Sequence, residues 1–172
     1  GYHWPNLWRS GTIGFEKIDR NDGFDGTKLN ILYSMQPSIG MPPRIIHQML
    51  GLFSKDVNWW FRLHPRQLGS EVEGDLRSLY GGFNNIFISE ATASPLPVLM
   101  TFMDLHITCF SSCVYEAIAF DVPTIFIHEA GQEYFNCHIE SSKAMLCLES
   151  TQLGREIGAR IKDKRHIDSG VL

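Results

Sequence analysis

Apolar positions along this chain switch between two periods. Short runs in which nearly every residue is apolar or β-branched alternate with longer stretches in which apolar residues recur every three or four positions. The short runs predict strands over 28–34, 57–63, 85–89, 105–110, 122–127 and 144–148. The longer stretches predict helices over 42–54, 68–80, 96–102, 132–142 and 152–162. In the first of these Ile45, Ile46, Met49, Leu50 and Phe53 share a face, and in the last Leu153, Ile157 and Ile161 do. Gly81-Gly82 stops the second helix and Pro95 opens the third. A further helix is expected between the fourth and fifth strands, starting at Ser111-Ser112. Strands alternating with helices at this spacing build βαβ units, hence a doubly wound parallel sheet with helices on both faces. The fold class expected is therefore α/β and Rossmann-like, with about six strands compatible with the order 3-2-1-4-5-6.

The organisation expected is an irregular lead-in over 1–27, one domain over 28–164 and a tail over 165–172 that carries no periodic signal. Tyr2, Trp4 and Trp8 in the lead-in are expected to pack on the domain or on something outside this chain. With 172 residues and 44% hydrophobic content the chain can bury one good core. It opens at Gly1 rather than at methionine, which is read as a fragment or a processed form. A net charge of −4 argues against broad nucleic-acid or anionic-membrane binding, so any polyanion site must be local. No apolar run approaches the roughly 18 residues that span a bilayer, and no signal peptide is seen. Cys109, Cys113, Cys137 and Cys147 are read as reduced, and the setting as cytoplasmic. Neither Cys109 with Cys113 nor Cys137 with His138 has the paired spacing of a structural zinc site, and no metal or cofactor is expected.

In a doubly wound sheet, ligands bind beyond the carboxyl ends of the strands where the strand order reverses. The polar residues of this chain gather at those ends: Ser34 and Gln36 after strand one, His64 and Arg66 after strand two, Ser111 and Ser112 after strand four, His128 and Glu129 after strand five. The turn after strand one lacks Gly-x-Gly-x-x-Gly, no Gly-Lys-Ser/Thr loop exists, and no acidic cluster closes the early strands. Dinucleotide, Walker-type and receiver-domain readings are thereby set aside. A helix opening at Ser111-Ser112 would aim free N–H groups out of the sheet, which suits phosphate, although an ordinary serine N-cap accounts for one of the two hydroxyls equally well. Trp59-Trp60 reads as core packing rather than a sugar platform.

Two patches carry a resemblance. Arg62-Leu63-His64-Pro65-Arg66, together with Phe110-Ser111-Ser112 followed by Glu116-Ala117 and Val122-Pro123-Thr124-Ile125, resembles the paired HP and SS motifs of bacterial surface-polysaccharide glycosyltransferases. That group takes in sialyl- and polysialyltransferases and CDP-glycerol polymerases, with the two-domain GT-B fold. The resemblance covers roughly 28–162 and is concentrated in those two patches. It implies the C-terminal, donor-binding half of such an enzyme, acting on a CMP-, CDP- or UDP-linked donor in polysaccharide synthesis. It also implies an N-terminal acceptor domain outside this chain that carries the catalytic base, and allows peripheral association with the inner face of the membrane. Cys109, and Arg62 in place of a lysine, depart from the pattern. Thr124, eight positions after Glu116, breaks the two-glutamate pattern of retaining enzymes.

The resemblance gives His64 and the serine turn to phosphate, with Arg66 adding charge, while the residues themselves leave open that His64 merely caps a loop. It gives Glu116 to the ribose hydroxyls, a role the residues themselves leave open against a solvated helix carboxylate. His128, Glu129 and Glu133 could touch sugar, or could simply form a polar loop and helix start. Two other functions fit the same architecture. One is a nucleotide-sugar epimerase or hydrolase, and the other a nucleotide- or partner-binding module without chemistry.

Overall fold

A computed structural model describes residues 25–168 together with Leu7. The lead-in aromatics and the last four residues lie outside the described residues. Six strands form one sheet: β1 (Leu29–Ser34), β2 (Val57–Arg62), β3 (Ile86–Phe87), β4 (Leu105–Thr108), β5 (Thr124–Phe126) and β6 (Ala144–Leu146). Every pairing is parallel and the order is β3-β2-β1-β4-β5-β6, the Rossmann-like arrangement expected from the alternation of periods. The strand order reverses between β1 and β4.

Six helices among the described residues lie between the strands, α1 (Arg44–Leu52), α2 (Glu71–Tyr80), α3 (Ser89–Ala93), α4 (Leu96–Met100), α5 (Val114–Ala119) and α6 (Glu129–Glu140), with a 3₁₀ turn at Pro65–Gln67, and α7 (Ser150–Asp168) follows the last strand. The two sheet faces differ in chemistry. Leu29, Ile31 and Tyr33 of β1, Val57, Trp59 and Phe61 of β2, and Leu105 and Ile107 of β4 form one apolar face. It is covered by Ile46 and Met49 of α1, Leu76 of α2, and Leu153 and Ile157 of α7. On the other face, under α3 to α6, Leu32, Trp60 and Phe126 share the sheet with buried Asn30, Ser34, Asn58, His106, Thr108 and Thr124. Trp59 and Trp60, adjacent in a strand, point to opposite faces and both sit in the core.

Several boundaries move for physical reasons. The 85–89 strand shortens to Ile86–Phe87 because α3 starts at Ser89. The helix expected from Gln132 starts three positions earlier, at Glu129, because His128 caps it: Nδ1 accepts the Ala130 N–H at 3.1 Å. Strand β4 stops at Thr108, whose hydroxyl turns back to donate to the Ser34 carbonyl at 3.0 Å. Helix α7 runs to Asp168, into the segment read as a tail; Arg165 there pairs with Asp56, and Lys164 just before it with Asp104. All four cysteines are free thiols. No helix among the described residues is long and apolar enough to cross a membrane.

One close approach fixes how α6 lies on the sheet. A Cβ added to Gly131 would fall 2.5 Å from Phe126 Cβ and 2.6 Å from its Cγ, so only glycine lets the first turn of α6 rest on β5. Gly158 in α7 has nothing within 4 Å of the same construction. Gly131→Ala is therefore expected to destabilise by about 1–3 kcal/mol through overpacking. Gly158→Ala should stabilise by about 0.4–1 kcal/mol through the unfolded state. Urea midpoints for the two variants check this, and shifts of the same sign would contradict the packing argument.

Candidate functional site

The carboxyl edge of the sheet is held together by side chains that cross between strand ends. Gln36, after β1, accepts the Phe110 N–H on its Oε1 at 2.8 Å and so ties the β1 loop to the β4 loop across the reversal point. Gln67, in the 3₁₀ turn after β2, reaches the Gln36 and Gly40 carbonyls through Nε2, at 3.4 and 3.5 Å. Phe110 meets the His128 ring edge-on with centroids 5.4 Å apart, which joins the β4 and β5 loops. Ser34, Gln36, His64, Arg66, Ser111, Ser112, His128 and Glu129 thus all belong to this one edge. Arg66, Ser112, His128 and Glu129 are exposed there, and Ser34 is buried beneath.

His64 is held by a reciprocal cap. Its Nδ1 accepts the Arg66 N–H at 3.1 Å while its own N–H donates to Gln67 Oε1 at 3.0 Å, with Pro65 opening the 3₁₀ turn. Because Nδ1 is an acceptor, the neutral ring carries its proton on Nε2, which becomes a donor fixed in direction at the sheet edge. His128 repeats the device at the start of α6.

The serine turn differs from the sequence expectation. Helix α5 opens at Val114, past both serines, and has six residues. Ser111 N–H donates to Thr108 Oγ1 at 3.2 Å, and Ser111 Oγ accepts the Cys113 N–H at 3.3 Å. Val114 and Tyr115 N–H groups go to the Ser111 and Ser112 carbonyls. The turn therefore consumes most of the N–H groups that a helix start at the serines would have left free. What it presents outward is the exposed Ser112, beside a Ser111 hydroxyl already engaged in the turn.

Glu116 is not a solvated helix carboxylate, since only 8% of the residue is exposed. It lies within electrostatic reach of Arg62. Arg62, the last residue of β2, donates through Nη1 to the carbonyls of Ala91 and Ser94 at 2.6 Å each, which pins the α3–α4 connection to the sheet. Burial pushes its guanidinium below the usual value, opposed by Cys113 and Glu116. Burial likewise pushes the Cys113 thiol up.

Sequence reasoning missed His106. It is fully buried in β4, with Nδ1 3.1 Å from Thr124 Oγ1 and Nε2 3.0 Å from Ser34 Oγ, beneath the edge. Burial lowers its pKa to about 3. A histidine, a serine and a threonine at inward positions of three strands were the available signal, legible only once the strands are paired.

Fold and edge together define a doubly wound α/β domain with a polar site at its reversal point. No protein-family model matches the chain, and no curated protein matches it in sequence. Solved structures do. UDP-GlcNAc 2-epimerase from Methanocaldococcus jannaschii, solved with UDP-GlcNAc and UDP, matches with a TM-score of 0.58 at 17% identity, over 81% of this chain and 40% of its own. The wall teichoic acid polymerase TagF matches with a TM-score of 0.56 at 13% identity, over 97% of this chain and 42% of its own. The C-terminal CMP-Kdo binding domain of WaaA from Acinetobacter baumannii matches with a TM-score of 0.52 at 11% identity, over 83% of this chain and 85% of that domain. The likeness at such identities is one of fold, shared with glycosyltransferase domains and with epimerases. The chain spans about two-fifths of the length of the epimerase and of the polymerase.

Proposed function

We propose that this chain is the nucleotide-donor-binding half of a GT-B glycosyltransferase of the HP/SS type, acting on a CMP-, CDP- or UDP-linked donor in surface-polysaccharide synthesis. The observation that carries the reading is the capped His64, whose Nε2–H is a fixed donor on the same sheet edge as the serine turn. In this reading His64, Arg66 and Ser112 hold the donor's phosphate, without a metal, and Glu116 receives the ribose hydroxyls. Ser111 shapes the turn, Ser34 and Gln36 support it, and His128 and Glu129 border the transferred group. The base that activates the acceptor belongs to a further domain, so this chain alone binds nucleotide and turns nothing over. Work on cytoplasmic donors, with the enzyme resting peripherally on the inner membrane face, follows from the same reading.

A thermal-shift panel of CMP, CDP, UDP, GDP and ADP tests it, because a ligand of the folded state raises the melting point by mass action. A pyrimidine nucleotide is expected to give the largest shift, and no shift with any nucleotide would refute the reading. His64→Ala should weaken the nucleotide by about 1.5–3 kcal/mol, the range for a hydrogen bond to a charged group, and leave the nucleoside unaffected. Equal losses for both, by calorimetry, would remove His64 from the phosphate. The epimerase match, with its UDP-GlcNAc and UDP, supports a second reading as half of an epimerase-like enzyme. That reading expects UDP to exceed CMP and CDP in the same panel.

A further inference from the structure

On the β5 side of the serine turn lies an aromatic patch to which the donor-binding reading gives no ring-specific role. Tyr134 of α6 is 62% exposed. Its ring sits 6.1 Å from the Phe110 ring, which is itself edge-on to His128 at 5.4 Å. Phe110 immediately precedes Ser111, and its N–H is fastened by Gln36. His128 is fixed by its own cap to Ala130. Phe110 is thereby tied by its backbone beside the serine turn and His128 by its ring nitrogen to the start of α6, with Tyr134 adjoining Phe110.

Their side of the turn decides what they can meet. Glu116, assigned to the ribose, is within electrostatic reach of Arg62, the last residue of β2. Phe110, His128 and Tyr134 face the β5 side. A donor with its phosphate at the turn and its ribose at Glu116 must send the group on the far side of the phosphate toward the rings. An exposed aromatic face next to the fixed Nε2–H of His128 suits a ligand with one apolar C–H face and a rim of hydroxyls, and an acyclic polyol offers no such face. Resting on the proposed donor-binding function, we propose that Phe110 and Tyr134 form the platform for the transferred group, with His128 donating to its rim, and that this group is a pyranose-type sugar rather than glycerol phosphate.

Calorimetry on this chain, its Tyr134→Ala and its Tyr134→Phe variants tests the platform with matched pairs: UDP and UDP-GlcNAc, CMP and CMP-Kdo, CDP and CDP-glycerol. Tyr134 is exposed, so both variants should fold, and unchanged melting points confirm it. A pyranose conjugate is expected to bind wild type more tightly than its free nucleotide. That conjugate should lose about tenfold in Tyr134→Ala, equivalent to about 1.4 kcal/mol, and recover in Tyr134→Phe. The free nucleotide and CDP-glycerol should be unchanged in both. Three results would overturn the platform while leaving the donor-binding function intact: an unaffected sugar conjugate, an equal loss for the free nucleotide, or an equal loss for CDP-glycerol. Absence of binding by every free nucleotide and conjugate to wild type would overturn the two together.

Discussion

Lowering the pH from 6.5 toward 4.5 is expected to destabilise this domain at about 1.4 kcal/mol per pH unit, through His106 alone. The native state keeps this imidazole neutral down to about 3, because it is buried and already bonded to Thr124 and Ser34, whereas the ordinary value is 6.5. Between those two values the unfolded chain binds a proton that the native chain refuses. Stability therefore rises with pH across the window, is lost as pH falls through it, and is unaffected by this group above 6.5. Asp25 and Glu73 are held below their ordinary values of 3.8 and 4.5 by hydrogen bonds from Thr27, and from Gly69 and Arg77, respectively. Their losses also come on acidification, but below those ordinary values, which leaves the upper part of the window to His106. Urea unfolding at pH 7, 6.5, 5.5 and 4.5 measures the slope. His106→Asn, which keeps one hydrogen bond and removes the titrating ring, should flatten it. The same slope in both proteins would show that His106 is not its source.

Arg62→Met should cost about 3 kcal/mol of stability. The thioether replaces the stem but leaves the Ala91 and Ser94 carbonyls without their donor and the buried Glu116 without its nearby cation. Loss of hydrogen bonds to a charged group and of a charge partner in a buried setting gives that order of magnitude. The double variant with Glu116→Gln should be less unstable than the two single losses predict, because the amide carries no uncompensated charge. A cost below about 1 kcal/mol for Arg62→Met would deny the anchoring role. Additivity within about 0.5 kcal/mol, the usual scatter for independent sites, would deny the coupling to Glu116.

Strand and helix identity was legible because each element has its own period: 57–63 reads as a strand on Val57, Trp59 and Phe61, and 42–54 as a helix on Ile45, Ile46 and Met49. Alternation of those elements was sufficient for the parallel sheet, since parallel neighbours need crossovers of helical length, and was compatible with the strand order without fixing it. Strand-end placement of His64, Ser111 and Ser112 followed from the same pattern, as did the absence of a dinucleotide fingerprint. Local sequence also contained the capping residues, but their effect on boundaries came from particular hydrogen bonds. His128 drew α6 back to Glu129, and the Thr108 and Ser111 hydroxyls delayed α5 to Val114.

Tertiary structure alone decided what depends on pairing between distant residues. His106 is one polar residue in an apolar run until β1 and β5 bring Ser34 and Thr124 to its two nitrogens, from 72 and 18 positions away. Gly131 is an ordinary helix glycine until α6 lies on Phe126. Helical position left Glu116 open between a ribose contact and a solvated carboxylate, and only the folded chain shows it buried, within electrostatic reach of Arg62. Phe110 and Tyr134 are 24 positions apart and share no periodic face, so only the packing of α6 beside the serine turn makes one patch of them. Periodicity reports which face of an element is buried; which residue it is buried against is a property of the folded chain.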